Sequence, residues 1–276
     1  MAEALLREDA RPAVSTIPGW AWLLAHVQGL IVPGILVALW EGVVRAGWIA
    51  PNLLPPPSEL VTTVSDLIRS GDIFTHIGVS SLRVAVGFGI GAVLALAVGA
   101  LVGLSRRAES LLDPTFQAIR AIPSLAWVPL LLLWLGIDEA PKITLIAIGA
   151  FFPVYLNFTA GIQNVDRKLV ELGRIYGLSG WKLVRRIFIP AALPNLFTGL
   201  RSGLSLAWMF LVAAELIAAS KGLGYLLTDG RETGRADLVI VAIIVLALLG
   251  KLSDSILRGL EHRLLQWRDT FDTRQE

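Results

Sequence analysis

Val79-Ser-Ser-Leu-Arg-Val-Ala-Val-Gly-Phe-Gly-Ile-Gly-Ala-Val-Leu-Ala-Leu-Ala-Val-Gly-Ala-Leu-Val-Gly-Leu104 contains a single charge, Arg83. About 20 mostly apolar residues in helical form cross the hydrocarbon core of a bilayer, and this stretch is long enough. Five others in the chain read the same way: 27–46, 119–137 (interrupted by Pro123 and Pro129), 143–162 (with Pro153 inside), 200–219 and 238–257. In lipid every backbone polar group has to be satisfied within the protein, which helices do and an open sheet does not. The expected fold is all-α, a polytopic membrane protein of six transmembrane helices.

The composition agrees. Of 276 residues, 55% are hydrophobic and 17% charged, against about 25% charged in a soluble domain. Mean hydropathy is +0.68. The chain has no cysteine, which excludes disulfides, thiolate metal sites and cysteine nucleophiles. His26, His76 and His262 are scattered, so no metal site is expected. Net charge is +2, without a basic stripe, and nothing points to nucleic acid. The start mixes Glu3, Arg7, Glu8, Asp9 and Arg11, and no cleaved signal is read there.

Lys and Arg accumulate in cytoplasmic segments. With the N-terminus inside, the segments on that side hold 14 of them and those on the other side 6, most of the bias coming from the segment between spans four and five. Both termini are therefore expected in the cytoplasm. The expected organisation is a cytoplasmic N-terminal segment with an interfacial helix at 1–26, a six-helix domain at 27–258 and a cytoplasmic tail at 259–276. Within the domain lie an outer interfacial segment at 48–78 and a cytoplasmic loop at 163–197. Trp20, Trp22 and Trp48 suit the aromatic belts at the water interfaces. In span two Gly87, Gly91, Ala95, Gly99 and Gly103 recur every four residues, a small-residue row along which a second helix packs closely.

Charges inside a span are costly and usually paired or functional. Arg83 and Glu215 stand at similar depth near the outer ends of spans two and five, which makes them a candidate ion pair or a pathway element. On the inner half, Asp254 has two candidate partners, Lys251 on its own helix and Arg201 on span five. Tyr155 and Asn157 follow Pro153, where they either repair the proline kink or face the pathway. Glu41 and Arg45 read as an interfacial pair.

The most informative stretch is Glu171-Leu-Gly-Arg-Ile-Tyr-Gly177, then nine residues, then Ile187-Phe-Ile-Pro190. It reads as two short amphipathic helices broken at Gly177–Gly180, the second of them basic and ended by Pro190. Such a cytoplasmic pair suits insertion into a groove on a partner. Leu178 and Trp181 contribute to an apolar face, and Gly177 permits the sharp turn without a Cβ penalty.

This spacing resembles the EAA loop of ABC importer permeases, with Leu172 and Gly173 in place of its two alanines. Asn52-Leu-Leu-Pro-Pro-Pro-Ser58, Ile122-Pro-Ser, Leu133-Trp-Leu-Gly-Ile-Asp-Glu139, Tyr176-Gly-Leu-Ser179 and Ala247-Leu-Leu-Gly-Lys-Leu252 are similar to the nitrate/sulfonate/taurine subfamily, the aliphatic sulfonate permeases in particular. The resemblance implies a permease subunit of the bacterial inner membrane, working with a second permease copy as a homodimer. It implies two separate ATPase subunits that bind ATP-Mg, and a periplasmic or lipid-anchored substrate-binding protein. Glu171, Gly173, Gly177, Leu178, Trp181, Ile187 and Pro190 would form the ATPase-coupling loop. The substrate would be a small anion, with taurine, nitrate or bicarbonate as alternatives to sulfonates. A stand-alone secondary transporter is the alternative of a different class.

A phosphate-binding loop would read Gly, four residues, Gly-Lys-Ser/Thr. The nearest approach, Gly250-Lys-Leu252, lacks the hydroxyl and the first glycine. No cofactor and no enzyme activity are expected of this chain alone.

Overall fold

The computed structural model describes residues 19–267, with side chains from residue 31 onward. The side chains of Trp20 and Trp22, most of the expected 1–26 segment and the last residues of the tail lie outside what is described. Apolar runs and the need to satisfy backbone groups without water produce helices throughout, and no strand occurs among the described residues. The described chain divides into two compact units at Glu59/Leu60.

The first unit contains α1 (Gly19–Arg45), with Pro33 inside it, and the start of α2 (Pro57–Ser70). Glu41 gathers three donors here. It accepts the Ser58 backbone N–H at 3.0 Å, the Ser58 hydroxyl at 2.8 Å and Arg45 Nε at 2.6 Å. The carboxylate thus caps the first turn of α2, where backbone N–H groups lack helical acceptors.

The second unit is built on α3 (Asp72–Leu104), α6 (Glu139–Gln163) and α9 (Ile189–Ala218), with α6 in the middle packing heavily on both. Small residues allow the approach. Gly87, Gly91 and Gly103 of α3 face Ile146, Ala147 and Ile162 of α6 where an added Cβ would clash, and at Gly99 it would meet Phe158 in a tight contact. Gly149 and Gly161 of α6 receive Phe210 and Asn195, while Gly199 and Gly203 of α9 receive Asn157 and Ala150. The expected small-residue row is one side of a seam that continues across three helices. Val84, Ile146, Ala150, Leu204, Ala207 and Leu211 form the core along it.

α11 (Ala236–Leu264) packs on α9, and α10 (Leu223–Glu232) lies between them in the chain. α10 is not expected from the sequence. α2 lies within the expected outer interfacial segment at 48–78. Its Leu67 packs with Leu226, Leu238 and Ala242, and Thr63 donates to Asp237 at 2.8 Å. This face of α2 therefore covers protein, whereas Val61 and Ile68 are exposed.

Among the described residues four helical stretches are long and apolar enough to cross a membrane: 72–104, 139–163, 180–217 and 236–264. A fifth crossing is available if a bent pair counts as one span. That pair corrects the expected helix at 119–137. α4 (Arg106–Ala121) ends at Pro123, a 3₁₀ turn follows at Ser124–Trp127, and α5 (Val128–Leu135) leaves at 87° to α4. Proline at 123 disfavours helical backbone at Ile122, which is extended, whereas Pro129 sits in the first turn of α5, where a missing N–H costs nothing.

A second correction concerns Pro190. It does not end a helix. α7 (Arg167–Ile175) is separate, but α8 (Gly180–Leu183), a π turn at Val184–Phe188 and α9 run on without a break. Pro190 has no N–H to give, and its ring would meet the carbonyl one turn back. The helix widens before it, with Ile189 N–H bonding Val184 O five residues away, and absorbs the proline in its own opening turn. The helix that holds span five therefore begins at Gly180, well before Leu200.

Candidate functional site

Two sites stand at opposite ends of the α9 helix. At one end α7 is held against α8 and the π turn. Asp166 caps α7 by accepting the Lys168 N–H at 2.8 Å. At its other terminus Leu178 N–H bonds Gly173 O at 2.9 Å and Gly177 N–H bonds Arg174 O at 2.9 Å. These are the two bonds of a Schellman motif, and Gly177 takes the left-handed position with φ 75°. Gly173 is buried. A Cβ there would press on the side-chain tips of Ile187 and Leu183, which would have to swing aside, so α7 seats closely on the next helix.

Much of the rest of α7 is bare. Leu169, Leu172, Ile175 (80%) and Tyr176 (78%) are exposed, and Trp181 beyond the turn is 69% exposed. Glu171 pairs only with Arg167 on its own helix, at 2.9 Å and in the open. Ile187 and Pro190 sit on the supporting helix rather than on the bare side. The coupling residues read from the sequence thus divide into a support (Gly173, Gly177, Ile187, Pro190) and an exposed group (Glu171, Trp181 and their apolar neighbours).

At the far end Arg83 and Glu215 are 2.7 Å apart, with side chains 5% and 0% exposed. Glu215 also accepts the Ser80 hydroxyl at 2.8 Å and the Gly224 N–H at 2.7 Å. Arg83 forks onto Glu139 as well, with Nε to Oε2 at 2.6 Å, and donates to the Lys221 carbonyl at 2.6 Å. Lys142 approaches Glu139 at 3.2 Å. Ser80 accepts the Leu223 N–H at 2.8 Å, and His76 Nδ1 accepts the Gly222 N–H at 3.0 Å while stacking on Tyr225. Gly222, with φ 125°, brings its backbone against the Glu215 carboxylate where a Cβ would not fit.

The outcome is a saturated cluster. Two cations face two carboxylates, and the turn joining α9 to α10 is tied to α3. Arg83 directs its donors into the protein. Sequence reasoning misses Glu139, Ser80, His76 and the 221–224 backbone. Glu139 lies four residues before the expected start of span four, at a place where a first-turn acidic residue already signals a helix N-terminus.

The other candidates have local partners. Arg201 Nε donates to Asp254 at 2.8 Å and its Nη1 lies 3.5 Å from Glu261, while Lys251 is exposed. Asn157 donates to the carbonyl of Pro153, one turn back on its own helix, at 2.8 Å. The buried Tyr155 donates to Asp113 at 2.9 Å and ties α6 to α4. Trp208 donates to Ser253 at 2.9 Å. Among the described residues no group of three His, Asp or Glu is placed to hold a metal.

Comparison with known proteins fits this architecture. The family described as "binding-protein-dependent transport system inner membrane component" matches residues 87–266. A Bacillus subtilis chain named as an aliphatic sulfonates transport permease, SsuC, is 42% identical over 98% of this chain and 95% of its own. Its Escherichia coli namesake is 44% identical over 92% and 96%. The crystal structure of an amino acid ABC transporter with histidines shares the fold, with a TM-score of 0.58 at 18% identity over 74% of this chain and 98% of that one. This multi-pass membrane protein belongs to the binding-protein-dependent transport system inner membrane components, the permease subunits of ABC transporters.

Proposed function

We propose that the chain is the translocating subunit of an ATP-driven importer of aliphatic sulfonates in the bacterial inner membrane. Two copies form the conduit by six crossings each, with both termini in the cytoplasm. Two separate ATPase subunits, which hold the ATP-Mg, dock on the α7 end. A binding protein delivers the anion at the end bearing Arg83 and Glu215. The observation that carries this reading is α7 itself: a short amphipathic helix seated through the buried Gly173 on the helix that crosses the membrane, with Leu172, Ile175 and Tyr176 left exposed. The sulfonate assignment draws on the two SsuC relatives.

Nucleotide-driven closure of the ATPase pair would pull the α7 elements together, and α8–α9 would follow as rigid bodies. Gly177→Asp forces a side chain into the left-handed position, at a cost of about 1 kcal/mol or more. Glu171→Lys places a second cation one helical turn from Arg167. Both variants are expected to insert into the membrane and to lose at least about ten-fold of substrate-stimulated ATP hydrolysis, on the order of 1.4 kcal/mol of coupling. The measurement uses liposomes holding permease, ATPase and binding protein, with an alkanesulfonate against taurine and nitrate. Unchanged stimulation in both variants would remove the docking assignment. Uptake by the permease alone, driven by an ion gradient, would remove the importer.

A further inference from the structure

α4 carries a polar row that none of the contacts above uses fully. Arg106, Ser110, Asp113, Gln117 and Arg120 follow one another at steps of four, three, four and three, which puts them on one helical face. Beside that row Leu112 and Phe116 pack into the core cluster of Tyr155 and Val154. Asp113 is held by Tyr155. Ser110, Gln117 and Arg120 are exposed. No hydrogen bond or ion pair engages the Arg120 guanidinium among the described residues.

The depth of Arg120 follows from its neighbour. α4 runs antiparallel to α6, with Glu109 bonded to Gln163, Asp113 to Tyr155, and Phe116 against Phe151. Ile119 lines a groove with Thr144, Ala147, Ile148, Phe151 and Phe152. These lie roughly 8 to 20 Å along α6 from its Glu139 end, at about 1.5 Å per residue. Arg120 therefore stands near the middle of a crossing, unpaired. An arginine at that depth facing hydrocarbon is too costly to persist. Such residues face a water-filled cavity or a partner.

We propose that this row lines the conduit and that Arg120 is where the travelling anion pauses in mid-membrane. The planar fork of the guanidinium matches two oxygens of a sulfonate. A second copy would supply a second Arg120, so the anion would meet two separated cations in water rather than one dry site. The inference rests on the importer reading above for its substrate, but not for the orientation of the row.

The chain has no native cysteine, so single cysteines report cleanly. In the reconstituted complex, Arg120→Cys and Gln117→Cys are expected to react with a negatively charged, membrane-impermeant methanethiosulfonate reagent. Val93→Cys, at an exposed apolar position of α3, is expected to stay unmodified and to transport normally. An alkanesulfonate with binding protein and ATP should slow modification at 117, where Arg120 is still in place. Arg120→Gln should lower initial uptake at least about ten-fold, and Arg120→Lys, which keeps the charge but not the fork, less. Modification at 117 and 120 no faster than at 93, or full uptake by Arg120→Gln, would overturn the proposal. If the wild-type complex carries nitrate and not sulfonates, the substrate reading fails, and a ten-fold loss of nitrate uptake in Arg120→Gln would still support the row. If it carries nothing, the labelling contrast alone decides.

Discussion

Glu215→Ala is expected to be among the most destabilising single changes in this protein. Removing one member of a buried ion pair strands the other, and such losses run to about 3–5 kcal/mol. Here the carboxylate accepts from Arg83, Ser80 and the Gly224 backbone at once. Its loss would leave the Ser80 hydroxyl and the Gly224 N–H without this acceptor and Arg83 with only Glu139 and the Lys221 carbonyl, and it would free the turn between α9 and α10. Glu215→Gln keeps the size and one acceptor oxygen, and should cost about half as much. Unfolding in detergent mixtures, followed by tryptophan fluorescence, reads both. If Glu215→Ala unfolds at the wild-type midpoint, the cluster does not hold this end of the bundle together. Ser80→Ala offers a milder check, on the order of 1–3 kcal/mol, since it leaves the Leu223 N–H unsatisfied.

Gly91→Val is the second large effect. A Cβ at this position would run into the Ala147 carbonyl and lie 3.1 Å from Ala147 Cα, so backbone rather than a flexible side chain would have to yield. α3 and α6 would be forced apart, and overpacking of this kind costs about 1–3 kcal/mol or more. Gly89, two residues away on the same helix, has open space where a Cβ would stand, with nothing within 4 Å. Gly89→Ala is expected to be neutral or to stabilise by up to about 1 kcal/mol through helix propensity. The contrast between the two, read in the same unfolding assay and by the yield of intact complex, tests close backbone approach rather than glycine content. Equal behaviour of the two variants would deny the seam.

How much of this is legible in the residues alone follows from the range of the interactions involved. Apolar length is a local property, so most of the crossings are visible as runs. The four-residue recurrence from Gly87 to Gly103 is visible because a helix turns that recurrence into a face. Arg83 and Glu215 can be matched because depth in a membrane is itself a coordinate, which sequence position supplies. The break at Gly177 is visible from the turn chemistry of glycine. The prolines are not separable in this way. Pro123, Pro129 and Pro190 look alike in one dimension, yet the first breaks a helix, the second opens one and the third is absorbed by a widened turn. Which happens depends on what the neighbouring carbonyls can reach. Glu139, His76 and the 221–224 backbone are hidden for a related reason: their bonds join α3, α6 and the α9–α10 turn, elements far apart in sequence.

The unbroken helix from Gly180 to Ile217, 38 residues, would be about 57 Å long at 1.5 Å per residue. Its first turns bear on Gly173 and its last carry Glu215. One stiff shaft thus has the proposed docking end at one tip and the ionic cluster at the other. In the importer proposed above, a tilt imparted at the first tip, less the play in the widened joint at 184–188, would arrive at the second without a relay, and the timing of opening on one face would be set mechanically by events on the other.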